Sequence, residues 1–186
     1  MYFEYADPSS PEWYEPDSRN PVIFHLRKKG AGAHLFHESL TIPLNRRHPE
    51  ERFNLMQGFI KPEGILTITS DTSKRLPGAQ AFPWTYTLAM SEGGLVETNE
   101  QFPFTAPEKG YAPSVKIEMT DLDRSVWRGG VTKTYYFYIP SSNTYGRMTI
   151  EASTSLPPRL SYYYNPSPGS RILEPAEPDY FHRELR

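Results

Sequence analysis

The chain has 186 residues, 37% of them apolar and 23% charged, with 20 Lys and Arg set against 22 Asp and Glu for a formal net charge of −2. That length suits one domain with tails, and the balance excludes a disordered chain and a helical membrane bundle, while a net charge near zero gives no long-range field that would draw in nucleic acid or an anionic membrane. The absence of cysteine removes disulfides, thiolate zinc sites and cysteine nucleophiles, and leaves the compartment open.

Aromatic residues carry much of the apolar content, with 13 Tyr, 10 Phe and 3 Trp. Large rings pack well across strands, and 19 prolines argue against long helices. The opening Met-Tyr-Phe-Glu-Tyr-Ala-Asp-Pro has neither a basic start nor an apolar run, so no signal peptide is expected in it. On that expectation the chain is either cytoplasmic or lacks its native beginning.

Residues 1–21 mix Tyr2, Phe3, Tyr5, Trp13 and Tyr14 with acidic residues and with Pro8, Pro11, Pro16 and Pro21, and follow neither a helical nor a strand period. They read as an extended arm, and so many rings imply that part of it lies on the domain or on a neighbour. Val22, Phe24 and Leu26 then alternate with Ile23, His25 and Arg27, the first expected strand, and Gly30-Ala31-Gly32 turns the chain. Residues 34–42 form a second candidate strand. Residues 46–52 read as a polar loop or one helical turn, and 52–57 pairs with 64–70 around a turn at 61–64.

The clearest alternation follows the Pro77-Gly78 loop: Phe82, Trp84, Tyr86, Leu88 and Met90 on one face, Pro83, Thr85, Thr87 and Ala89 on the other. One side of that strand must be buried. Residues 95–98 read as a short edge strand, 103–113 as a proline-marked segment, and 114–120 as a half-exposed strand with Val115, Ile117 and Met119 inward.

The stretch 131–139, Val-Thr-Lys-Thr-Tyr-Tyr-Phe-Tyr-Ile, is almost entirely β-branched or aromatic. A period of two puts Val131, Lys133, Tyr135, Phe137 and Ile139 on a core face, with Lys133 fitting least well, and Thr132, Thr134, Tyr136 and Tyr138 on the other. Residues 147–153 and 160–164 supply further strands around Leu156-Pro157-Pro158. Roughly eight or nine short strands with turn signals about every ten residues, and no amphipathic helix, indicate an all-β antiparallel β-sandwich or jelly-roll-like domain over 22–174, with extended arms at 1–21 and 175–186.

The motifs for chemistry are incomplete. His34 and His37 are three apart, so on a strand they point to opposite faces and do not form a metal pair; His37-Glu38 has Thr41 where a zinc-protease helix needs its second histidine. Asp121, Asp123 and Ser125 begin like a calcium loop, but Val126 stands where glycine is needed and Thr132 where a bidentate glutamate should be. Gly30-Ala31-Gly32 lacks the rest of a dinucleotide fingerprint. Arg27-Lys28-Lys29, Arg46-Arg47 and Lys74-Arg75 read as solvated loop ends. No cofactor or metal is expected, and a pair of catalytic carboxylates, for which Asp121 and Asp123 are the nearest candidates, has no sequence signature because its spacing is spatial.

The aromatic excess is the feature above background. Exposed Tyr and Trp bury large area while keeping a polar tip wet, which suits a protein interface or a sugar-stacking face; otherwise the rings simply fill the sandwich. The candidate binding residues are Trp13, Tyr14, Trp127, Tyr136 and Tyr138.

Asn20-Pro21-Val22-Ile23-Phe24-His25, Gly94-Leu95-Val96-Glu97, Phe102-Pro103-Phe104-Thr105-Ala106-Pro107, Tyr145-Gly146-Arg147-Met148 and Gly169-Ser170-Arg171 together resemble the C-terminal region of uncharacterised bacterial envelope proteins that often carry a carboxypeptidase-regulatory-like domain ahead of it. The resemblance runs from about residue 20 onward. It implies an all-β, non-catalytic module in the periplasm or cell envelope, with no catalytic residues to carry over. The reading is therefore a structural or protein-interaction module, an accessory subunit of an envelope or membrane complex; a carbohydrate-binding module stacking sugars on Trp127, Tyr136 or Tyr138 is the alternative, and a hydrolase the third.

Overall fold

The computed structural model describes residues 32–45, 47–57, 59–60, 63–100, 103–123 and 125–176. The arm at 1–21 with Trp13 and Tyr14, the expected strand at 22–28 and the end of the C-terminal tail lie outside the described residues.

Ten strands form two antiparallel sheets, with no helix among the described residues: β1 Phe36–Thr41, β2 Glu50–Asn54, β3 Phe59–Ile60, β4 Leu66–Asp71, β5 Trp84–Met90, β6 Gly94–Thr98, β7 Ser114–Met119, β8 Gly130–Ile139, β9 Thr144–Ser153 and β10 Arg159–Asn165. One sheet runs β1-β10-β9-β8-β6, the other β3-β2-β4-β5-β7. The first contains the meander β8-β9-β10 and the second the β4-β5 hairpin beside β2, and the chain changes sheet from β1 to β2 and at each connection from β5 to β8.

The alternation predicts these elements because a pleated strand sends successive side chains to opposite faces. β5 shows it in full, alternating buried and half-buried residues along its length. Residues 95–98 are an edge strand, as their shortness implies. Two details differ from the sequence reading. Glu50 to Arg52, read as the end of a polar loop, belong to β2, where they pair with Thr69, Ile68 and Thr67 and Phe53 anchors the strand opposite Leu66. The two-residue β3 is too short to show a period.

The inner faces meet in one core. Tyr135, Phe137, Ile139, Met148, Ile150, Leu160 and Tyr162 come from the first sheet, and Phe53, Leu66, Ile68, Trp84, Tyr86, Leu88 and Ile117 from the second. Tyr86 Oη ties the layers by donating to the Ser153 carbonyl at the end of β9 at 2.7 Å, and Trp84 Nε1 donates to the Arg128 carbonyl in the connection before β8 at 2.9 Å. Phe137 lies over Gly146, its partner on β9; a methyl group there would sit 2.0 Å from the ring, so no larger residue fits. Lys133 is reconciled with its inward position at the rim, where it pairs with Glu97 on β6 and keeps its ammonium half-exposed.

Burial raises the phenol pKa values of Tyr86, Tyr135 and Tyr162; Tyr135, with Glu97 adding to the effect, is pushed up to about 12. Such a phenol favours folding while it is neutral. Its contribution is present below the unfolded value of about 10 and lost as pH rises through the folded value. Spectrophotometric titration should therefore show a fraction of the 13 tyrosines ionising only above about pH 11, together with loss of the far-ultraviolet β signal. A single wave near pH 10 with the fold intact would contradict this.

Candidate functional site

The outer faces of the two sheets differ in chemistry. That of the β2-β4-β5-β7 sheet carries Thr67, Thr69, Thr85, Thr87, Lys116 and Glu118, a surface made for water. That of the other sheet carries rings. Antiparallel register aligns Val96, Tyr136, Arg147, Tyr163 and His37 in one row across five strands. A second row places Tyr138 beside Tyr145, and a third consists of small hydroxyls, Thr98, Thr134, Thr149, Ser161 and Ser39.

Within the first row the planar groups stand upright and stack. His37 lies 4.3 Å from Tyr163 at an interplanar angle of 11°, and the Arg147 guanidinium sits 4.2 Å from the Tyr163 centroid and 5.6 Å from that of Phe104. His37 also hydrogen-bonds Ser161 at 3.3 Å. The result is a ridge from β1 to the segment after β6. It ends where the chain covers its own sheet.

That cover is a small ribbon made by the segment following β6 and the segment following β10. Thr105 bridges Ile172, Leu173 N donates to the Phe104 carbonyl at 2.7 Å, and Ala106 N to the Arg171 carbonyl at 2.9 Å. Asn165, fully buried at the end of β10, holds it: Nδ2 donates to the Ile172 carbonyl and to Ser170 Oγ, while Oδ1 accepts from Ser167 N. Pairing continues through Pro175 and Ala176 against Ala33, two residues into the segment read as a tail.

Ala106 and Leu173 from this ribbon pack on Tyr136. Tyr136 is thus 2% exposed, and its hydroxyl donates to Glu100 at 2.8 Å. Burial first, and then Glu100, raises its pKa. It is not the exposed platform that strand alternation implies, because β8 lies between β6 and β9 and the chain itself covers its second face at Tyr136.

Tyr138 is half-buried, 4.7 Å from Tyr145 and 5.8 Å from Tyr111. Trp127 is a clamp: its Nε1 donates to the Phe82 carbonyl at 2.9 Å and its ring lies 5.7 Å from Phe82, joining the β7-β8 connection to the β4-β5 loop. The structure therefore separates Trp127 from Tyr136 and Tyr138 and gathers other residues instead. Tyr145, Arg147, Tyr163 and His37 escape a reading by strand because only cross-strand register sets them beside their neighbours, and Tyr111 because it reaches Tyr138 and Tyr145 from the segment after β6.

Asp121 and Asp123 do not converge on a common point. Asp121 Oδ1 accepts from Asp123 N, and Asp123 Oδ1 accepts from the amide and hydroxyl of Ser125, bonds that lower the Asp123 pKa. Among the described residues no group of three or more His, Cys, Asp or Glu side chains is placed to hold a metal ion, and no helix is long and apolar enough to cross a membrane. Comparison with protein families, curated proteins and solved structures finds no match.

Proposed function

We propose that the protein is a non-catalytic interaction module whose outer β1-β10-β9 face docks on another protein, as an accessory part of a bacterial envelope complex. The observation that carries this is the ridge of His37, Tyr163 and Arg147 on one face of a sandwich whose opposite face is threonine and charge. Arg and Tyr held upright by their neighbours lose little conformational freedom on binding, and such residues dominate interface energetics. The envelope setting rests on the family resemblance alone.

A sugar-stacking role for the named rings has less support, because stacking needs an open ring face. Tyr136 is covered, Tyr138 packs on Tyr145, and Trp127 packs on Phe82.

A photocrosslinking amino acid placed at Ser39 or Ser161, beside the ridge, tests the reading in the native cell; Thr87 on the other sheet is the control. Crosslinks to one discrete protein are expected from the first pair and not from Thr87, and His37→Glu should reduce them about tenfold. Equal crosslinking from both faces, or none from the ridge, would sink the proposal.

A further inference from the structure

Four connections meet at one end of the sandwich: β1-β2 (42–49), β4-β5 (72–83), β7-β8 (120–129) and β9-β10 (154–158). They are bonded to one another. Thr154 N donates to the Gly129 carbonyl at 2.8 Å, Ile42 N to the Pro158 carbonyl at 2.8 Å, and Trp127 Nε1 to the Phe82 carbonyl. A rigid platform results.

Beside the buried Phe82 and the packed Trp127, three of these loops present aliphatic residues to solvent. Leu76 and Leu156 are each 70% exposed, Val126 51% and Leu122 46%. Local bonding holds them outward: Leu76 opens the turn closed by Ala79 N to the Leu76 carbonyl, with Gly78 at φ 76, and Ser153 Oγ accepts from Leu156 N. Turn residues of this kind are ordinarily polar. Four exposed aliphatics at one end therefore call for an occupant.

Charge selects among occupants. Among the described residues the same loops contain the exposed cations Arg47, Lys74, Arg75 and Arg128 against the carboxylates Asp121 and Asp123, and the strand ends that border them add Arg159 against Glu50 and Asp71, which leaves this end a small cationic excess in a chain whose net charge is −2. Asp123 is turned back onto Ser125. Apolar tips ringed by Lys and Arg match the boundary between anionic headgroups and acyl chains, where the aliphatics enter and the cations meet phosphate. We infer that this end of the sandwich docks on an anionic lipid surface, with Leu76, Leu122, Val126 and Leu156 as the inserting residues.

The test is co-sedimentation of the full chain with vesicles of phosphatidylcholine alone and of phosphatidylcholine with phosphatidylserine. Binding is expected only to the second, weakening as salt is raised. The triple variant Leu76→Ser/Val126→Ser/Leu156→Ser should partition at least about tenfold less, with an unchanged circular dichroism spectrum because all three side chains are exposed. Met56→Ser/Ile172→Ser, on the opposite end, should bind like the wild type. A chain that ignores both vesicle types overturns the proposal and leaves a protein partner as the occupant of these loops. Binding that survives the triple substitution also overturns it, since charge alone would then account for the adsorption.

Discussion

Phe137→Ala is expected to lower the free energy of unfolding by about 3 to 5 kcal/mol in denaturant titration. The ring is fully buried in the C-terminal half of β8 and fills the space that Gly146 leaves open across the strand pair. Removing it leaves a cavity that the surrounding strands cannot close, because Gly146 has no side chain to move in. The neighbouring Tyr136→Ala sharpens the test. Strand alternation alone makes that change mild, since Tyr136 is on the face away from the core. The structure makes it costly, about 2 to 4 kcal/mol, since the ring is packed against Ala106 and Leu173 and its hydroxyl is bonded to Glu100. A loss below about 1 kcal/mol at Tyr136 would mean that the ribbon does not sit on β8 in solution.

Trp84→Ala is the second large effect, again about 3 to 5 kcal/mol. Trp84 combines a nearly complete burial with a hydrogen bond from Nε1 to the Arg128 carbonyl in the β7-β8 connection, so it packs the core and also fixes that connection. Trp84→Phe separates the two roles. It keeps most of the apolar volume and leaves the Arg128 carbonyl without its donor, which should cost about 1 to 3 kcal/mol. Hydrogen exchange should quicken at Trp127 and Thr154, whose amides bond within these connections. If Trp84→Phe is neutral and exchange there is unchanged, the Trp84–Arg128 bond contributes nothing to the loop platform.

Much of the sandwich could be read along the chain. Phe82 to Met90, Val115 to Met119 and Val131 to Ile139 each show period-two alternation, and each has its expected face in the core. The poorly fitting Lys133 was legible as an anomaly, and its partner Glu97 became visible only once β6 lay beside β8. The candidate site was far less legible. Of Trp127, Tyr136 and Tyr138, one is a loop clamp, one is covered and one is a member of a three-ring cluster. His37, set aside as half of a false metal pair, proves to stack on Tyr163.

The sequence by itself determined the class of fold, the core face of the main strands and the lack of any complete catalytic or metal motif, because these depend on residues near one another along the chain. Tertiary structure decided which rings meet, that Tyr136 is covered, and that Leu76, Leu122, Val126 and Leu156 share one cationic end. The physical reason is that strand period is a local property, whereas register between strands and the coming together of loops at one end are set by pairing and packing over distances of up to a hundred residues or more, as between His37 and Ser161. A net charge of −2 likewise averages over the whole chain and conceals where the cations gather.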